Sequence, residues 1–183
     1  MKENSVTRWF GDAFKQLHPS LQHLHREGGR LQGIAEIKLG ENLVARWLGK
    51  RLAYKLGIPV QANTCDFGVE ITYTPDLLLW GRRFGEQKVM STFKPVGHYP
   101  HGYWVERTGA INLQLGVNII DGGWHWQQQR IRLFGLTLPL GLMPRTTAYK
   151  TFANNKYVFN VVITLPFFGN LLSYSGELDA LPL

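Results

Sequence analysis

The sequence predicts a mainly β chain of the α+β kind: an antiparallel curved sheet or barrel of roughly nine to ten strands, with two amphipathic helices near its N-terminus. Three observations carry this. After Pro59 the chain breaks into short apolar segments punctuated by Gly, Pro, Asn and Asp. Two of these segments alternate sharply: Ile111, Leu113, Leu115, Val117 and Ile119 oppose Asn112, Gln114 and Asn118, and Tyr157, Phe159, Val161, Ile163 and Leu165 repeat the pattern. Before Pro59, by contrast, apolar residues recur at helical spacing. With 44% apolar, 13% aromatic and 18% charged residues, the chain has enough apolar surface to offset the entropy lost on folding. Its 183 residues suit a single domain, 1–183, divided into a helix-strand-helix segment, 1–59, and an antiparallel β region, 60–183.

Phe10, Phe14, Leu17, Leu21 and Leu24 step by four and three along one helical face. Ser5 is the expected N-cap, the first helix ends near Leu17, and Pro19 opens a short second turn stopped by Gly28-Gly29. A strand follows over 30–39, with Leu31, Gly33, Ala35, Ile37 and Leu39 on one face. The second helix covers 42–56. There Leu43, Val44, Trp47, Leu48, Leu52 and Leu56 form an apolar stripe, basic residues crowd the rest, and Gly57 and Pro59 supply the stop. The β segments read as 60–74 (bent at Gly68), 77–84, 88–94, 102–107, 110–120, 123–134, 146–152, 157–165 and 171–178. Hairpin turns are expected at Thr74-Pro75-Asp76, Asp121-Gly122-Gly123 and Asn154-Asn155-Lys156.

The 20 Lys and Arg against 13 Asp and Glu give a net charge of +7, which favours anionic partners: lipid headgroups, nucleic acid or carboxylate-bearing small molecules. No run of like charges marks a nucleic-acid arm. Cys65 is the only cysteine, so no intrachain disulfide forms and a reducing, cytoplasmic setting is expected. The opening residues lack the apolar stretch of a secretory leader, and no span is long and apolar enough for a membrane helix. Phosphate-binding glycine loops, dinucleotide fingerprints and the nucleophile elbow are missing, and the six histidines show no metal-ligand spacing, so neither cofactor nor metal is expected. Cys65 reads as an inert small hydrophobe.

Candidate binding residues come from strand parity. Trp80, Arg82 and Phe84 share a face, where a guanidinium between aromatic rings could hold an anion; the plainer alternative is an Arg stem covering apolar surface. Trp124, Trp126, Gln128, Arg130 and Arg132 form a second row, suited to stacking bases, to lining a cavity for a polar-headed apolar ligand, or simply to a core edge ending in solvated arginines. Glu106 and Arg107 point to opposite faces, so an inward Glu106 needs a partner such as Arg83 or Arg130.

Several stretches together resemble an uncharacterised, mostly bacterial family known as domain of unknown function 4166. They are Leu17-His18-Pro19, Leu56-Gly57-Ile58-Pro59, Trp80 with Arg82-Arg83-Phe84-Gly85, Glu106-Arg107 with Gly109, Phe134-Gly135-Leu136 with Leu138-Pro139, Leu142-Met143-Pro144, Phe159-Asn160-Val161, Leu165-Pro166 with Gly169, and Tyr174 with Gly176. The resemblance lends no activity. It implies an accessory role beside small-molecule metabolism, since related domains occur alone or after a saccharopine-dehydrogenase-like domain. Where relatives carry an acidic residue shortly after the Leu-x-Pro segment, this chain has Ala148-Tyr149-Lys150.

The leading expectation is a binding module whose aromatic concave face takes a small apolar or anionic ligand, with candidates Trp80, Arg82, Arg83, Phe84, Glu106, Arg107, Trp124, Trp126, Arg130 and Tyr174, and with Arg83, Glu106 or Arg130 fixing the polar end. The second is docking to an anionic membrane surface through Arg46, Trp47, Lys50, Arg51, Tyr54 and Lys55. The third is acid/base catalysis at a barrel mouth by Glu106, His98, His101 or Tyr174, which no spacing demands. Ligand identity, oligomeric state and partner are not written in the sequence.

Overall fold

A computed structural model gives the fold, and it describes residues 3–108, 111–133, 135–139 and 141–181. Among these the elements run α1 (Ser5–Phe10), a 3-10 turn (Gly11–Gln16), α2 (Pro19–Glu27), β1 (Gly29–Leu39), α3 (Leu43–Lys55), β2 (Thr64–Tyr73), β3 (Leu78–Phe84), β4 (Gln87–Val96), β5 (Tyr103–Thr108), β6 (Ile111–Ile120), β7 (Gly123–Leu133), β8 (Leu136–Leu138), β9 (Arg145–Ala153), β10 (Lys156–Leu165) and β11 (Gly169–Leu181). Ala110 and Phe134, the expected limits of two strands, lie outside the described residues, as does Gly109.

The strands close into a ten-stranded antiparallel barrel, β1 to β7 in chain order, then β9, β10 and β11, which returns to β1. Closure through the β6–β7 pairing leaves short β8, against the far end of β7, as an appendage. A closed barrel removes the unpaired edges that long apolar strands would otherwise present. Two hairpins turn as their residues dictate: Asp121 and Gly122, and Asn154 and Asn155, all have positive φ, the conformation of a turn that matches strand twist. Strand β2 starts at Thr64, later than the expected residue 60.

The N-terminal helices close one end. Val6, Trp9, Phe10, Phe14, Leu17, Leu21 and Leu24 are buried, with the Trp9 ring 5.4 Å from Trp104 and the Phe10 ring 4.7 Å from Trp124. Asn4, not Ser5, is the N-cap: its Oδ1 accepts from the Val6 and Thr7 amides at 3.0 Å while the Asn4 amide donates to Thr7 Oγ1, a reciprocal box that Ser5 cannot form from inside the helix. The α-helix also stops at Phe10, earlier than the expected Leu17, because Gly11 takes φ 55° and the chain continues as a 3-10 turn.

Strand β1 crosses the barrel, so α3, which follows it, lies at the opposite mouth. It begins against β11, where the Gly40 amide donates to the Leu171 carbonyl, and Gly57 beyond its end meets Val89 of β4 on the other side of the mouth. The apolar stripe is only partly buried, and α3 turns other residues to the barrel. Ala45, Gly49 and Ala53 face the barrel, while Leu43, Val44 and Trp47 are exposed and Leu48, Leu52 and Leu56 are half-buried. Backbone contact explains the orientation: a Cβ on Gly49 would sit 2.0 Å from the Leu171 carbonyl oxygen, so only small residues let the helix lie this close. Gly49→Val is therefore expected to lower stability by about 1–3 kcal/mol, read as the shift of a chemical-denaturation midpoint. An unchanged midpoint would show that α3 does not seat against β11 in this way.

Candidate functional site

Inward strand positions bring a polar cluster into the apolar barrel. Arg82 on β3 reaches Glu106 on β5 (3.2 Å), the Tyr174 hydroxyl on β11 (3.3 Å) and the Ser91 hydroxyl on β4. Ser91 and Thr108 hydroxyls lie 2.7 Å apart, and Thr108 donates to Glu106 at 3.3 Å. Burial opposes the Arg82 charge, but Tyr174 and Glu106 outweigh it and hold the guanidinium pKa above its usual value. Burial raises the Tyr174 phenol, with Arg82 pulling the other way. Side chains of Arg82 and Glu106 keep 16% and 14% exposure, and the inward Trp80, Leu113, Ala148 and Val161 are half-buried.

A second polar centre is Lys150 on β9, 2% exposed. Its Nζ lies 3.7 Å from the Trp124 ring centre and 4.4 Å from that of Trp80, with Trp126 at 5.7 Å. It donates to His25 Nε2 at 2.7 Å, and no carboxylate pairs with it among the described residues. Tyr73 donates to the Leu24 carbonyl (3.2 Å), leaving its oxygen to accept from His25 Nδ1 (3.3 Å), which makes Nε2 the acceptor. Cation–π contact is worth about 2 kcal/mol to a desolvated ammonium, whereas taking the charge out of water costs several kcal/mol. Burial wins, and it holds Lys150 well below the usual amine range; burial first, then Lys150, lowers His25.

Several buried N–H donors find no acceptor among the described residues: Trp80 Nε1, Arg82 Nε, Trp104 Nε1 and Trp124 Nε1. Each such donor costs about 1–3 kcal/mol unless something else accepts from it. The chamber is thus rich in rings and in hydrogen-bond donors.

Of the residues singled out from sequence, Trp80, Arg82, Phe84, Glu106, Trp124, Trp126 and Tyr174 lie on the inner face. Arg83, Arg107 and Arg130 face outward. Arg82 is therefore the partner of Glu106, in place of Arg83 or Arg130. For Arg130 and Arg132 the reason is a bulge in β7: Leu115 pairs with Gln128 but Gln114 pairs with Arg130, so Gln129 is the extra residue and parity flips beyond it, turning the arginines out and Ile131 in. Arg83 lies in an outer-wall groove of about 380 Å³ with Arg30, Glu70, Lys88 and Met90, roofed over Gly68 and Gly81. A second outer groove, about 320 Å³, is lined by Asn118, His125, Gln127, Tyr149 and Asn160. His98 and His101 are exposed in the β4–β5 loop, apart from Glu106 and Tyr174.

Sequence reasoning missed Lys150, His25, Ser91 and Thr108. Parity could have found Lys150, which shares its face with Ala148 and Phe152, and helical spacing could have found His25, four residues after Leu21 on the core-facing side.

No curated protein matches the chain. A family model, described as domain of unknown function (DUF4166), matches residues 17–178. That span holds α2, α3 and every strand of the barrel but the last residues of β11, together with all members of both interior polar centres. On this match across nearly its whole length, the chain belongs to the DUF4166 family.

Proposed function

We propose that the barrel interior binds a small molecule with an apolar, ring-accommodating body and a polar head that accepts hydrogen bonds. The observation that carries the reading is the polar interior around the Arg82–Glu106 pair, where half-buried Trp80, Leu113, Ala148 and Val161 lie on the same inner face as donors left without acceptors, Trp80 Nε1 and Arg82 Nε. Glu106 offsets the charge of Arg82, so the site favours a carbonyl, carboxylate or sulfonate oxygen through directed N–H bonds more than through net charge. The half-buried indole of Trp80 supplies the flat apolar wall.

Anilinonaphthalene sulfonate combines such a body and head. Saturable one-to-one binding is expected, with quenching of tryptophan emission. Ala148→Phe and Leu113→Phe each add bulk to the inner face without replacing a polar group, and each is expected to weaken the probe at least about tenfold, the loss of roughly one good contact, at an unchanged thermal midpoint. Probe binding that both variants leave intact would place it elsewhere and remove the proposal.

A further inference from the structure

Helix α3 turns its largest apolar side chains away from the protein. At 100° per residue, Ala45, Gly49 and Ala53 point at the barrel while Leu43, Trp47 and Tyr54 fall together on the opposite side. Those three are 84%, 53% and 88% exposed. Arg46 and Lys50 flank them on one side, Arg51 and Lys55 on the other, all exposed, and none has a carboxylate partner among the described residues. The Arg51 guanidinium lies 4.2 Å from the Trp47 ring centre.

The β10–β11 turn extends this face. Asn42, the N-cap of α3, donates to the Phe168 carbonyl at 3.0 Å, which brings Phe167, 96% exposed, and Phe168 beside the helix start. The result is a ridge of Leu43, Trp47, Tyr54 and Phe167 rimmed by four cations, all at the mouth across which α3 lies.

We propose that this mouth docks on an anionic phospholipid bilayer, with the rings at the boundary of headgroups and acyl chains and the cations among the lipid phosphates. Charge complementarity selects the occupant. Rings pointing straight out with cations on both flanks suit an interface whose apolar layer lies beneath a sheet of negative charge. A protein groove that takes an amphipathic helix would instead meet an apolar stripe recurring every three or four residues, whereas the outward row here is interrupted by Lys50 and Arg51. The net charge of +7 acts in the same direction. The proposal stands apart from the interior ligand and survives its failure.

The test is flotation of the full chain with phosphatidylcholine vesicles, with and without phosphatidylglycerol. Binding is expected only with phosphatidylglycerol, weakening as salt rises. Trp47 is the one tryptophan with a largely exposed ring, so a blue shift on binding that Trp47→Phe abolishes locates the contact. Each cation is worth roughly fivefold in partitioning, so the combined variant R46Q/K50Q/R51Q/K55Q is expected to lose on the order of a hundredfold or more. The pair Trp47→Ser with Phe167→Ser tests the apolar half and is expected to lose binding too; all these side chains are exposed, so thermal midpoints should hold. Failure to float with phosphatidylglycerol at low salt overturns the proposal. So does full binding by both combined variants, or a self-associating chain that buries Trp47 and ignores vesicles.

Discussion

Arg82→Met is expected to lower the free energy of unfolding by about 3–5 kcal/mol, measured by chemical denaturation at neutral pH. The size follows from what is left behind. Arg82 is the cation facing Glu106, and it also donates to Tyr174 and Ser91. Without it a carboxylate that is 14% exposed keeps, among the described residues, only the Thr108 hydroxyl as a donor. Losing a hydrogen bond alone would cost about 1 kcal/mol; stranding a charge costs several times that. The double variant Arg82→Met with Glu106→Leu is accordingly expected to recover most of the loss, since replacing a buried pair by apolar residues of similar volume is often neutral. A single-variant cost below about 1 kcal/mol would mean the pair behaves as a wet surface pair, and the chamber would then be wide open to solvent.

How much of this was legible follows from which physical signals are local. Strand parity is local, so Arg82 facing Trp80 and Phe84, and Glu106 facing away from Arg107, could be read residue by residue. A bulge is not: the extra residue at Gln129 is set by pairing with β6, and it alone reverses Arg130 and Arg132. Partnership across the barrel is equally hidden, because Arg82 and Tyr174 meet through closure of a sheet and not through spacing. For α3 the sequence showed an amphipathic helix but not its orientation. Hydrophobicity alone leaves open which way Trp47 faces, and the approach of Gly49 to the Leu171 carbonyl turns the small-residue face to the barrel. Lys150 was passed over because a lysine on a strand normally reads as solvated, and only the surrounding Trp80, Trp124 and His25 show otherwise.

Lys150 also sets the largest expected pH effect. Its amine is held by burial well below the ordinary 10.5, so between that lowered value and 10.5 the folded chain leaves it neutral while the unfolded chain protonates it. The unfolded state then binds more protons, and stability rises with pH by about 1.4 kcal/mol per unit wherever the difference is a whole proton. His25, lowered by burial and then by Lys150, acts in the same sense below its ordinary 6.5, so acid removes stability through both groups. Opposing groups set the upper limit. Burial, then Asp66, raises the Cys65 thiol above 9.0, and burial raises Tyr73 and Tyr157 far above 10.0, so beyond these values the unfolded chain sheds protons that the folded chain keeps. Stability should therefore climb with pH up to about 9 and turn over near 10. Lys150→Met tests the assignment. Met fills similar space among the indoles but strips His25 Nε2 of its donor, a cost of about 1–3 kcal/mol that does not vary with pH above the histidine range. The variant's stability is expected to run flat above the histidine range up to pH 9, where the parent's rises. A parent profile already flat there would mean that the indole cage keeps the ammonium charged, and that the barrel interior holds a cation at the position where burial alone predicts a free amine.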